Sequence, residues 1–186
     1  MKIPGKIPIK KKVAPKIEPL PVNASVMAQG PKEEIMLFYG PPGVGKTTFV
    51  NKMAPRVMFL STDRGTRSIK SIRRECSTWN DFEQVVKQME APNAPRYDIV
   101  AIDHVDDWAN LAEDYVCKSM GIDSLGDAGF AKGWRTFKKT LFTFLARLKA
   151  LNTGIVFIAH ETIKPVKTRA IELDRIQPDM GKSAWK

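Results

Sequence analysis

The stretch Gly40-Pro41-Pro42-Gly43-Val44-Gly45-Lys46-Thr47 constrains this chain more than any other, because it meets the pattern G-x-x-x-x-G-K-[ST]. Its flanks have the right character. Ile35-Met36-Leu37-Phe38-Tyr39 is an apolar run suited to one buried parallel strand. From Thr47 to Ala54 neither glycine nor proline intervenes before Pro55, which predicts a helix of about two turns. Glycines let the backbone wrap a phosphate with its N–H groups turned inward, where a Cβ would collide. The helix that begins there adds its unpaired N–H groups and the positive end of its dipole. Lys46 is therefore expected to reach the β- and γ-phosphates of a nucleotide, and the Thr47 hydroxyl to ligate Mg²⁺. Thr48 can place a second hydroxyl near the α-phosphate.

At 186 residues the chain is long enough for one domain with a substantial core. No apolar run is long enough to span a bilayer, and no signal-peptide hydrophobic region follows Met1, so a cytoplasmic protein is expected. Cys76 and Cys117 form no C-x-x-C and have no nearby histidine pair, so structural zinc and a disulfide framework are both disfavoured. Thirty basic residues against 20 acidic ones leave a net charge of +10, which points to a polyanionic partner.

Residues 1–33 are rich in lysine and proline and read as a flexible basic arm, either a grip for nucleic-acid phosphates or a solvated tail. Residues 34–186 read as the folded domain. Val57 to Ser61 is a second buried-strand candidate and runs into Thr62-Asp63-Arg64-Gly65. Asn80 with Glu83 suggests a helix start, and Phe82, Val85, Val86 and Met89 follow at i, i+3, i+4 and i+7. Tyr97 to Asp103 is a third strand with an acid at its C-terminal end, the form of a Walker B site, so Asp103 is expected to hold Mg²⁺ opposite Thr47. Trp108, Leu111, Ala112 and Tyr115 have helical spacing, as do Trp134, Phe137, Leu141, Leu145 and Leu148. Ile155 to Ala159 is a fourth buried strand that ends in His160-Glu161. Beyond it, Ala170 to Ile176 alternates weakly and Pro178 to Lys182 reads as a turn.

Strands alternating with helices predict a doubly wound, mainly parallel α/β sheet with flanking helices. Ligands of such sheets gather at the strands' carboxyl ends, where Asp63, Asp103 and His160 all fall. The residue after Asp103 is His104, so a water-polarising glutamate beside the Walker B acid is absent. Asn51-Lys52-Met53-Ala54 lacks the final aspartate of N-K-x-D, which leaves a GTPase unsupported. An attacking water still needs a carboxylate to orient it. Asp63 is the leading candidate, with Asp106, Asp107 and Glu161 as alternatives. His160 can donate to the γ-phosphate or serve packing alone.

The spelling G-P-P-G-V-G-K-T-T-F, the strand ending Phe59 to Thr66, the strand from Tyr97 to Asp103 and Ile158-Ala159-His160-Glu161 together resemble RecA-like phage nucleotide-binding proteins. That group of P-loop NTPases includes the ATPases that tailed phages use for single-strand annealing recombination. The resemblance covers residues 34 to 182. It implies a RecA-like fold, ATP and Mg²⁺ as cofactors, a homo-oligomeric ring or filament, and single-stranded DNA as partner in the bacterial host cytoplasm. In that family the acid of the second strand, usually glutamate, is the catalytic carboxylate, and Asp63 matches it. The segment after His160, with Lys164, Lys167, Arg169 and Arg175, would correspond to a DNA-contacting loop. Arg64, Arg67 and Lys182 are candidates to act on a neighbouring subunit. Members usually continue past the final turn, so a shortened C-terminal edge is expected. The residues also leave two other functions open: a nucleotide-gated DNA- or protein-binding module with little turnover, and a small-molecule P-loop phosphotransferase.

Overall fold

The computed structural model describes residues 30, 34–62, 69–167 and 172–180. Apart from Gly30, the basic arm read over 1–33 lies outside them, as do Asp63, Arg64, Arg67, Arg169 and Lys182.

The elements alternate as the apolar runs predict. They are β1 (Ile35–Gly40), α1 (Lys46–Asn51), β2 (Val57–Ser61), β3 (Ile72–Glu75), α2 (Trp79–Met89), β4 (Ile99–Asp103), α3 (Val105–Met120), α4 (Lys132–Ala150), β5 (Gly154–Lys167) and β6 (Glu172–Pro178). The core sheet has the order β1-β5-β4-β2-β3 with every neighbour parallel. The glycine-rich loop and Asp103 therefore leave strands separated by β5. Apolar clusters fill both faces. One sets Val50 of α1 against Phe59, Ile99, Ala101, Val156 and Ile158. The larger one buries α2, α3 and α4 against the opposite face. This is a mainly parallel α/β sheet with flanking helices, the P-loop NTPase fold.

Four features depart from the sequence pattern. α2 begins before the Asn80/Glu83 signal, because Thr78 and Asp81 form the capping box. The Thr78 hydroxyl accepts from the Asp81 N–H at 3.3 Å, and the Asp81 carboxylate accepts from the Thr78 N–H at 2.8 Å. In α4 the most deeply buried residues are Phe137, Phe144 and Leu148, with Leu141 and Leu145 only half-buried. Phe144 forms ring contacts with Trp79, Phe82 and Trp108 at 5.3, 6.0 and 5.8 Å. β3 was not legible: Ile72-Arg73-Arg74-Glu75 is exposed throughout, a charged edge strand that pairs with β2 through its backbone. β5, expected to end at Ala159, continues to Lys167 and pairs antiparallel with β6 from Glu161↔Pro178 to Lys167↔Glu172. One strand thus runs through the middle of the core sheet and out into a hairpin.

Gly133 shows how closely α4 is seated. A Cβ there would lie 2.3 Å from the Leu125 carbonyl oxygen. On the α2–α4 side, the Arg147 guanidinium donates to both Glu90 carboxylate oxygens at 2.7 and 2.9 Å and also to Glu83. The Arg147 hydrogen bond, foremost, holds the Glu90 carboxyl below its ordinary range.

Candidate nucleotide-binding site

The loop between β1 and α1 turns back on itself through Gly43 (φ 77°) and Gly45 (φ 93°), backbone conformations that residues with a Cβ rarely adopt. Gly45 caps α1 directly, and its carbonyl accepts from the Phe49 N–H at 2.9 Å. The first helical residue is Lys46. Its ammonium donates to the carbonyls of Gly40 and Pro41, each at 2.9 Å, so the side chain folds across the mouth of the loop. An ammonium carries three donors, and the third remains for a phosphate oxygen.

The next residue meets the acid of β4. The Thr47 hydroxyl donates to Asp103 Oδ2 at 3.2 Å, across 56 residues of sequence. Asp103 is 2% exposed, and its other oxygen, Oδ1, lies 3.0 Å from His104 Nε2. The peptide between Asp103 and His104 is cis. A hydroxyl beside a buried carboxylate is a set of hard oxygen donors, the chemistry that suits Mg²⁺. Thr47 and Asp103 are the residues that would hold it.

His160 stands on β5 opposite Gly40 of β1, and its ring centroid is 4.2 Å from that of His104. Its Nδ1 is buried and has no hydrogen-bond partner among the described residues. Burial, then His104 and then Lys46 lower its pKa, which favours the neutral ring. Pro42, Gly43, Gly45, Lys46, Thr47, Thr48, Ile69, Asp103, His104 and His160 line one cavity of about 380 Å³.

Most residues expected from the sequence thus meet in one place: Pro42, Gly43, Gly45, Lys46, Thr47, Thr48, Asp103 and His160. Gly40 and Pro41 contribute the carbonyls that hold Lys46, and Val44 is an exposed residue of the loop. Asp63 lies outside the described residues. Asp106, Asp107 and Glu161 are not among the cavity's lining residues. Asp107 accepts from the Thr62 hydroxyl at 2.9 Å. Burial first, then Asp107, raises the Asp106 pKa. Ligand atoms of His104, Asp106 and Asp107 lie within 4.8 Å of one another, a spacing that a cation can bridge.

Sequence reasoning missed two members of the site. Ile69 sits in a polar segment without periodicity. His104 was read only for the glutamate it replaces, although its place directly after the strand-end acid was the available signal.

A family model described as AAA domain matches residues 32–186. The chain belongs to this family. An AAA domain is a P-loop ATPase unit, so nucleotide binding and ATP chemistry follow from membership. The residue directly after Asp103 is His104 rather than a glutamate. No curated protein matches the sequence. Among the described residues no helix is long and apolar enough to cross a membrane. Cys76 and Cys117 are buried and unbridged, and burial foremost pushes the Cys76 thiol up to about 12, far from a reactive thiolate.

Proposed function

We propose that this AAA domain is a Mg²⁺-dependent ATPase of the RecA-like phage type, acting on single-stranded DNA in recombination or strand annealing. The observation that carries the ATPase half is the Thr47–Asp103 hydrogen bond at 3.2 Å beside the Lys46 ammonium. It supports reading Thr47 and Asp103 as the pair that would hold Mg²⁺ beside the phosphates. Asp63, two residues after the last residue of β2 in the sequence, is assigned the role of orienting the attacking water. His160 is assigned a contact to the γ-phosphate.

Support for the DNA half comes from charge. Lys164 and Arg175 are exposed and directly opposite each other in the β5–β6 hairpin. Two cations side by side on an exposed hairpin suit an anionic partner. A net charge of +10 agrees with a polyanionic partner. The working form in this reading is a homo-oligomeric ring or filament in the cytoplasm of a bacterial host. A second reading, a nucleotide-gated binder with little turnover, draws on His104 standing where AAA+ ATPases place a glutamate.

Phosphate release from ATP, measured with and without single-stranded DNA, separates the two. The ATPase reading predicts turnover that rises with DNA and falls roughly 10²-fold or more in Asp63→Ala. ATP binding without turnover in either condition would sink it in favour of the gated binder. Full activity in Asp63→Ala would move the base elsewhere.

A further inference from the structure

Charge is segregated between the helices on the larger face of the sheet. α3 carries Asp106, Asp107, Glu113 and Asp114 against one cation, Lys118. α4 carries Lys132, Arg135, Lys138, Lys139, Arg147 and Lys149 and no carboxylate. Arg147 is accounted for by Glu83 and Glu90. Lys132, Arg135, Lys138 and Lys139 are exposed, and none forms an ion pair among the described residues.

A helix face that is merely solvated mixes its signs, because opposite charges at i and i+4 support the helix and like charges weaken it. Here Arg135 follows Lys132 by three residues and precedes Lys138 and Lys139 by three and four. Lys132 and Arg135 also occupy the opening turn, beside the positive end of the helix dipole. Helix stability accounts for neither choice.

Two aromatic side chains accompany these cations. Phe142 is 68% exposed and lies three and four residues beyond Lys139 and Lys138, on the same face. Phe130, just before α4, is 100% exposed. Phe137 and Phe144 of the same helix are buried, so the core does not lack for aromatic residues.

We propose that the exposed face of α4 is a docking strip for single-stranded nucleic acid. Its cations hold phosphates, and Phe142, with Phe130, offers ring faces to unpaired bases. The proposal rests on the DNA reading above but places a contact on a surface separate from the β5–β6 hairpin. Charge complementarity requires a polyanion. Exposed rings flanking the cations favour bases free to stack over a duplex, whose base faces are already covered. An anionic membrane fits less well, because Phe142 is the one large apolar side chain exposed along α4, too little to enter an acyl layer.

The test is fluorescence anisotropy of a labelled oligodeoxythymidylate over a salt series with ATP present. It compares the wild type with Lys138→Glu/Lys139→Glu, Phe142→Ala and the hairpin variant Lys164→Glu/Arg175→Glu. The double reversal on α4 is expected to weaken binding at least ~10-fold and to flatten the slope of log K against log salt by about 1.4, or ~0.7 per lost phosphate contact. Phe142→Ala is expected to weaken binding by ~5-fold or more with the slope unchanged, since stacking releases no counterion. ATP affinity retained in both α4 variants establishes that they fold. If both α4 variants bind like the wild type while the hairpin variant fails, the strip is overturned and the DNA reading stands. A wild type that does not bind the oligonucleotide overturns both. If the α4 variants lose binding to phosphatidylserine vesicles but keep the oligonucleotide, the strip belongs to lipid and the proposal falls.

Discussion

Lys46→Ala is expected to weaken MgATP binding by roughly 30-fold or more, since truncating one partner of a close charge pair costs about 2–5 kcal/mol and each 1.4 kcal/mol is tenfold. The same change should move the unfolding temperature by only a few degrees. In the protein alone the ammonium makes only two hydrogen bonds, to the carbonyls of Gly40 and Pro41, at the rim of the loop. At this solvent-open rim such bonds contribute about 1 kcal/mol each, together a shift of a few degrees for a chain of this size. Binding measured by calorimetry alongside a thermal melt separates a lost phosphate contact from a damaged fold. A variant that melts normally and binds ATP as the wild type does would remove Lys46 from the site.

Phe144→Ala should have the opposite profile. The ring is fully buried and touches Trp79 of α2, Phe82 of α2 and Trp108 of α3, so it joins three helices over the sheet. Emptying such a position costs about 3–5 kcal/mol. For a chain of this size that lowers the midpoint of thermal unfolding by roughly 10 °C or more. None of these aromatic rings lines the nucleotide cavity, so ATP affinity should be retained at temperatures where the variant stays folded. A melt shifted by only one or two degrees would mean that the three-helix junction relaxes around the void.

The contrast between these residues explains what could be read from the sequence. Buried parallel strands need apolar side chains on both faces, so β2 was visible to the residue as Val57–Ser61, and β4 (Ile99–Asp103) fell within the run read from Tyr97 to Asp103. The phosphate loop was legible because its glycines and its Lys-Thr pair are dictated by the backbone path and the ligand. Asp103 and His160 were legible because parallel strands deliver their last residues to one edge. β3 and the outer part of β5 were hidden for a different reason. They are held by backbone pairing in exposed positions, where side chains carry no burial pattern. Phe144 escaped because it lies one helical step away from the predicted Leu141–Leu145 line, and a helix stripe is wider than one row. His104 was hidden by its neighbour: a residue beside a strong motif tends to be read as present or absent against the motif rather than for what it does.

In the proposed reading Lys46, Thr47 and Asp103 hold one nucleotide through Mg²⁺. The measurement that tests it most directly is calorimetric titration of ATP into the wild type and Asp103→Asn, each with Mg²⁺ and with EDTA. The wild type should bind MgATP at least ~10-fold more tightly than ATP in EDTA, because the ion links phosphate to the Thr47–Asp103 pair. Asp103→Asn should lose most of that difference. Equal wild-type affinity with and without the metal, or an undiminished metal effect in Asp103→Asn, would contradict the account.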